Sequence, residues 1–67
     1  MLALKINGET RQVSAPCSVL SLLEDMSLVG KRVAVERNGE IVPKGLHATT
    51  QLAEGDVLEI VVAVGGG

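Results

Sequence analysis

The distinctive functional group of this sequence is the α-carboxylate at the end of the run Gly65, Gly66 and Gly67. Glycine has no side chain and adopts almost any backbone conformation, so three in a row pass through a channel too narrow for other residues. At ~3.4 Å per residue, the run extends the α-carboxylate of Gly67 about 10 Å beyond the last strand. A carboxylate is a poor electrophile and has to be activated, most simply as an acyl adenylate made from ATP.

The sequence contains no nucleotide-binding motif that would perform this activation. A phosphate-binding loop of the type G-x-x-x-x-G-K-[ST] is absent, and no helix follows the glycine run to face its amides to an anion. We therefore expect no cofactor to be bound by this chain. Activation of Gly67 would have to come in trans from another protein.

Cys17 and His47 are the remaining candidates for chemistry. Cys17 precedes the predicted N-cap of a helix, where a thiol pKa is lowered, but we interpret it as an apolar residue that packs on Leu22. His47 lies in a connecting segment and is interpreted as a packing or surface residue. Because no His, Cys and carboxylate cluster has metal-ligand spacing, we predict neither a metal site nor an enzyme active site.

A group of carboxylates is distributed over the second half of the chain. Its members are Glu36, Glu40, Glu54, Asp56 and Glu59. The simplest interpretation is a solvated surface, and the alternative is a surface that docks a basic partner.

Composition excludes several classes of function. The chain has 67 residues, a formal charge of -2 and no Phe, Tyr or Trp, which argues against a nucleic-acid partner. Its longest apolar run, residues 60–64, is too short to span a membrane, and its first residues do not have the pattern of a signal peptide. One cysteine forms no internal disulfide, which fits the cytoplasm. We expect a small cytoplasmic protein.

Residue patterns predict two hairpins around one helix. "LALKIN" and "ETRQVSA" form strands joined by Asn7-Gly8, and "RVAVERNGEIV" repeats this pattern around Asn38-Gly39. Between the hairpins, an apolar face at helical spacing follows Ser18, the expected N-cap. Its residues are Val19, Leu22, Leu23 and Met26.

The fold class follows from the order of these elements. A connection with one helical turn near Leu46 and a turn at Gly55 lead into "VLEIVVAV", the most apolar strand, which we place in the centre beside the first strand. The order β-β-α-β-β-β predicts an α+β ubiquitin-like β-grasp fold, a mixed sheet of about five strands with one helix on one face. The predicted boundaries are a domain over residues 1–64 and a flexible glycine tail over residues 65–67.

One face of the last strand is a candidate docking surface. If Leu58, Ile60, Val62 and Val64 face the core, the alternate residues lie on the opposite face with Ala3 and Ala34. Those residues are Val57, Glu59, Val61 and Ala63. An exposed apolar patch beside a reactive tether is typical of a docking site. We predict that Glu59, Val61 and Ala63 contact a partner.

Over essentially its whole length the sequence resembles the ThiS family of sulfur carriers of thiamine biosynthesis. The resemblance is carried by "VAVERNGEIVPK" at residues 33–44, "LAEGDVLEIV" at residues 52–61 and the terminal glycines. The sequence departs from the family's usual pattern of two terminal glycines by having a third, Gly65. This residue lengthens the reach of the tail from the sheet by ~3.4 Å.

The resemblance implies a cycle of sulfur transfer. An adenylyltransferase related to ubiquitin-activating enzymes would adenylate Gly67 with ATP and Mg²⁺. Sulfur from a persulfide made by a cysteine desulfurase would displace AMP and leave a thiocarboxylate, which thiazole synthase would use as its sulfur source.

Three other functions remain open on the sequence. A molybdopterin sulfur carrier has the same fold and chemistry, but that family commonly has a proline just before its glycines, and "EIVVAVGGG" has none. A ubiquitin-like protein modifier would use the same activation of Gly67. A plain interaction module would not need the glycine tail at all.

Overall fold

The structure is a computed structural model that describes residues 1–63. Within this range the elements are β1 (Leu2–Ile6), β2 (Glu9–Val13), α1 (Val19–Asp25), β3 (Val33–Arg37), β4 (Glu40–Ile41), a 3₁₀ turn (Lys44–Leu46) and β5 (Val57–Val62). The predicted order of strands and helix is confirmed, including the helical turn in the long connection. The predicted tail over residues 65–67, and Val64 before it, lie outside the described residues.

Both predicted hairpins turn at their Asn-Gly pairs. Asn7 and Gly8 have φ values of 50° and 85°, and Asn38 and Gly39 have 51° and 87°. A type I′ turn needs positive φ at both central residues, which Asn and Gly tolerate better than other residues do. The two dipeptides therefore fix where each hairpin reverses.

The five strands form one mixed sheet in the order β2-β1-β5-β3-β4. β5 pairs in parallel with β1 and antiparallel with β3, so it is central, as predicted. Because β5 has a neighbouring strand on each side, neither of its edges has to face water. This position agrees with the apolar sequence of β5. Together with the single helix, this is the predicted β-grasp architecture.

Helix α1 closes one face of the sheet. The Ser18 hydroxyl accepts a hydrogen bond of 3.0 Å from the Ser21 N–H, which confirms the predicted N-cap. Val19, Leu22 and Leu23 are buried. They pack in one core with Leu4, Ile6, Val13, Cys17, Val35, Val42, Leu52, Leu58 and Ile60.

The predicted alternation of buried and exposed residues along β5 does not continue to the end of the strand. Leu58 and Ile60 are buried, but Val62 is 40% exposed. Val62 pairs with Val33, itself only partly buried, at the end of the β3–β5 ladder. Placing Val62 in the core was therefore wrong, because the core stops before the strand does.

None of the helices within residues 1–63 is long and apolar enough to cross a membrane.

Candidate functional site

The candidate site is the C-terminal half of β5, which leads to the glycine run. β1 pairs with β5 only at Val57 and Leu58, near its start. β3 follows β5 for longer, from Arg37 opposite Leu58 to Val33 opposite Val62. The Ala63 N–H then donates to the Arg32 carbonyl at 2.8 Å. β3 therefore holds the strand up to the last described residue.

On its other side, β5 is held by a side chain. The Ile60 N–H donates to Asn7 Oδ1 at 2.8 Å, and Asn7 Nδ2 donates to the Ile60 carbonyl at 3.0 Å. The Asn7 N–H also donates to the Leu58 carbonyl at 2.9 Å. The first hairpin turn thus continues the β1–β5 ladder where the backbone of β1 has ended.

The second hairpin turn holds the start of β5 in the same way. The Asn38 N–H donates to the Val57 carbonyl at 2.7 Å, and the Val57 N–H donates to Asn38 Oδ1 at 2.9 Å. Asn38 Nδ2 also donates to Asp56 Oδ1 at 3.1 Å. Each asparagine therefore shapes its own turn and pairs with the central strand.

Asp56 does not belong to a solvated acidic surface, so that interpretation was wrong for this residue. It is 6% exposed, and its Oδ2 accepts hydrogen bonds from Arg37 Nε and the Ala53 N–H, both at 2.8 Å. Burial by itself raises the pKa of Asp56. The hydrogen bonds from Ala53, Asn38 and Arg37, with the charge of Arg37, outweigh burial and hold the pKa below its ordinary value. Its role is to join the β3 hairpin to the start of β5.

The other carboxylates of the predicted group are more accessible. Glu54 is exposed, although its Oε1 accepts a hydrogen bond of 2.9 Å from the Ala3 N–H. Glu36 lies directly opposite Glu59 on β3 and β5. Like charges at opposing positions repel one another. This pair adds negative charge to the face on which a partner was predicted to dock.

That predicted docking face is exposed in the structure. Val57 and Val61 are 46% and 61% exposed, and Glu59 and Ala63 are also exposed. Val61 lies opposite Ala34 of β3, which is exposed too. The face therefore presents small apolar side chains next to the end of β5, and a partner contact at Glu59, Val61 and Ala63 stays a prediction.

Val61 and Ala63 also line a groove of about 480 Å³ that passes around the edge of β3. Its walls come from α1, the segment that follows it, β3 and the 3₁₀ turn. The other lining residues are Leu20, Leu23, Leu28, Val29, Gly30, Lys31, Arg32, Val33, Ala34, Lys44, Gly45, His47 and Ala48. The sequence pattern gave no indication of this groove, since its walls are distant along the chain.

Cys17 and His47 both serve the packing of the domain. Cys17 is buried in the core, and burial, followed by the negative charge of Asp25, raises the pKa of its thiol above the ordinary value of 9.0. His47 is 6% exposed, and its Nε2 lies 3.1 Å from the Val42 carbonyl oxygen. Neither residue has the environment of an activated nucleophile or base.

Within the described part of the chain, no group of three or more His, Cys, Asp or Glu residues is arranged to hold a metal ion. The predicted carrier residue Gly67, with Gly65 and Gly66, lies outside that part.

The residue pattern did not predict the cross-sheet roles of Asn7, Asn38 and Asp56. The signal was partly present: each asparagine stands in an Asn-Gly turn, and Asp56 follows the turn glycine Gly55. Asn and Asp side chains commonly hydrogen-bond to nearby backbone at turns. Which strand the asparagines would reach was decided by the tertiary fold.

Comparison with known proteins gives a match to the ThiS family over residues 4–67. The sulfur carrier protein ThiS of Bacillus subtilis is 38% identical over 65 residues, which are 96% of this chain and 98% of that protein. A crystal structure of a thiamine biosynthesis protein (ThiS) from Geobacter metallireducens has a TM-score of 0.81 at 29% identity, covering 98% of this chain and 100% of that one.

A second kind of relative is much longer. A thiazole synthase of Paramagnetospirillum magneticum is 48% identical over 66 residues, which are 98% of this chain but 20% of that protein. The chain thus spans about a fifth of the length of this relative.

Proposed function

The chain belongs to the ThiS family, and we propose that it is a sulfur carrier for the thiazole ring of thiamine, with Gly67 as the carrying residue. In this role the domain is a carrier and not a catalyst. It presents a C-terminal acyl group to partner enzymes, which supply the catalytic groups.

The proposed cycle replaces one oxygen of the Gly67 carboxylate by sulfur. An adenylyltransferase related to ubiquitin-activating enzymes joins the carboxylate to AMP from ATP, with Mg²⁺, and releases pyrophosphate. A persulfide derived from a cysteine desulfurase attacks the acyl carbon, and AMP leaves with the former carboxylate oxygen. A thiol then cleaves the acyl disulfide and leaves the thiocarboxylate. The chain itself binds no cofactor in this scheme.

Thiazole synthase is the proposed acceptor of the sulfur. The relative from Paramagnetospirillum magneticum carries this name, and the segment that matches our chain makes up a fifth of it. A segment similar to this chain inside a protein of that name supports the idea that the two act together. We place the cycle in the cytoplasm, where the single cysteine of this chain would stay reduced.

The observation that carries the proposal is the way β5 is held. Its backbone is hydrogen-bonded at its start by Asn38, from the β3–β4 turn, and near its middle by Asn7, from the β1–β2 turn. Just after the strand, the Ala63 N–H donates to Arg32. A rigid strand gives the residues that follow it a defined starting point and direction. Such a strand suits a chain whose end has to reach into another protein's active site.

Docking would use the exposed face of this strand. Val61 and Ala63 are apolar and exposed, and in the sequence they come shortly before the glycine run. Burial of such side chains against a partner contributes favourable free energy. The carboxylate of Glu59 would complement a basic group on the partner. The same Gly67 activation would serve a molybdopterin sulfur carrier or a protein modifier, so the test has to identify the product.

The test is the intact mass of the purified chain after incubation with the adenylyltransferase, a cysteine desulfurase, cysteine and ATP. We expect a gain in mass that equals the exchange of one oxygen for sulfur, located in the C-terminal peptide. The loaded chain should then support thiazole formation by thiazole synthase.

Two controls make the result specific. A variant that lacks Gly66 and Gly67 should gain no sulfur, and omission of ATP should have the same effect on the full chain. Adducts that join Gly67 to lysines of other proteins would indicate a modifier and contradict the proposal. So would an unchanged mass under conditions in which the Bacillus subtilis carrier becomes loaded.

A further inference from the structure

The groove beside β3 has a free sheet edge along one side. β4 pairs with β3 only at Glu36 and Arg37. One residue earlier in β3, the Val35 carbonyl still accepts a hydrogen bond of 2.8 Å from the Val42 N–H. The Arg32 carbonyl accepts from Ala63, the residue after β5, so the next residue, Val33, turns its N–H and C=O away from β5. Among the described strands, none covers that edge of Val33.

Apolar side chains line the groove next to this edge. Leu20 and Leu23 come from α1, and Leu28 follows the helix. Leu20 and Leu28 are only partly buried within the chain, so each keeps apolar surface in contact with water. Covering that surface is favourable at roughly 25 cal/mol per Å².

The rim of the groove is basic. Lys31, Arg32 and Lys44 are exposed and line it, and its lining within the described residues includes no carboxylate side chain. The whole chain has six Lys and Arg residues and a net charge of -2. Arg11 and Arg37 form ion pairs with Asp25 and Asp56. Half of the cations of an acidic protein therefore surround one apolar groove.

We propose that this groove binds an extended segment of a partner protein in which branched apolar residues alternate with carboxylates. The segment would add a strand at the Val33 edge, so its backbone would pair with β3. Its apolar residues would cover Leu20 and Leu28, and its carboxylates would face Lys31, Arg32 and Lys44. Charge complementarity of this kind selects acidic partners and speeds their association.

The composition of the chain's own end favours a separate partner. Residues 64–67 contain one valine and three glycines, so they supply little of the apolar surface that the groove lacks. The inference concerns residues other than Gly67 and does not depend on sulfur transfer.

The test is a titration of the isotope-labelled chain with a synthetic peptide that alternates isoleucine with aspartate. NMR amide shifts are expected within residues 28–33 and 44–48, with slower hydrogen exchange of the Val33 N–H in the complex. Lys31→Glu should weaken binding about threefold to tenfold. The matched control is Lys5→Glu, an exposed lysine outside the groove, which should bind the peptide within about twofold of the parent chain.

Several results would overturn the proposal. They are an absence of binding, equal binding of a peptide with lysine in place of aspartate, or equal effects of Lys31→Glu and Lys5→Glu. Shifts of the same amides with rising protein concentration alone would make a second copy the occupant. Binding that appears only after removal of residues 64–67 would make the chain's own end the occupant. The amide spectrum of each variant shows directly whether it is folded.

Discussion

The side-chain amide of Asn7 pairs with the backbone of Ile60 in both directions, at 2.8 and 3.0 Å, although 53 residues separate them in sequence. The same asparagine forms the first hairpin turn at a φ of 50°. One residue thus reverses the chain and also holds the central strand just before Val61 and Ala63. Through these two roles, Asn7 connects the first hairpin to the strand that precedes the glycine run in the sequence.

Replacing Asn7 by Gly should separate these two roles, because glycine keeps the positive φ and loses the side-chain amide. We expect the free energy of unfolding to fall by about 1–2 kcal/mol, as two hydrogen bonds are lost. Native-state hydrogen exchange should accelerate at the Ile60 amide. The Val61 amide faces β3 and is the internal control, which should keep its protection. An unchanged Ile60 exchange rate would contradict this assignment.

Asp56 should make the stability of the domain depend on pH at the acidic end. Its pKa in the folded state is lower than the ordinary value of 3.8, so the unfolded chain takes up the proton first. Its stabilising contribution is therefore complete above about pH 5 and is lost as the pH falls below about 4 towards the folded-state pKa.

Asp56→Asn tests this dependence in urea unfolding experiments. At pH 7 the variant should be less stable by about 1–3 kcal/mol, because a buried charged hydrogen-bond acceptor is replaced. The difference should shrink at pH 3. Glu9→Gln, at an exposed position of β2, is the control and should change stability by less than about 0.5 kcal/mol. Parallel pH curves for the parent and Asp56→Asn would refute the role assigned to Asp56.

Cys17 should be unreactive in the folded protein. It is 5% exposed, and its raised pKa keeps it as the thiol at neutral pH. We expect alkylation at pH 8 to be at least about tenfold slower in the native chain than in the urea-unfolded chain. Cys17→Ala should still load sulfur at Gly67. Loss of loading in a folded Cys17→Ala variant would show that the thiol takes part in the cycle.

Val61 and Val57 form a matched pair for the docking prediction. Both are exposed valines of β5 on the same face, but Val57 begins the strand, whereas Val61 lies near its C-terminal end and lines the groove. Val61→Ser should lower the rate of loading by the adenylyltransferase about tenfold, which corresponds to the burial of part of one valine side chain. Val57→Ser should leave the rate within about twofold. Equal effects would place the contact elsewhere.

Sequence alone determined the order of elements and most of the core. Asn7-Gly8 and Asn38-Gly39 require positive φ and mark both hairpins, while the spacing of Val19, Leu22 and Leu23 marks one helix face. These signals are local, because a turn or a helix face is specified by residues within a few positions of one another.

Only the tertiary structure decided the contacts between distant residues. Asn7 reaches Ile60, and Arg37 and Asn38 donate hydrogen bonds to Asp56, because the sheet order places β5 between β1 and β3. The core ends before Val62, which lies at the end of the β3–β5 ladder. The short β4 and the segment after α1 leave the basic groove open beside β3. No local pattern carries this information, since burial and charge complementarity are properties of the packed molecule.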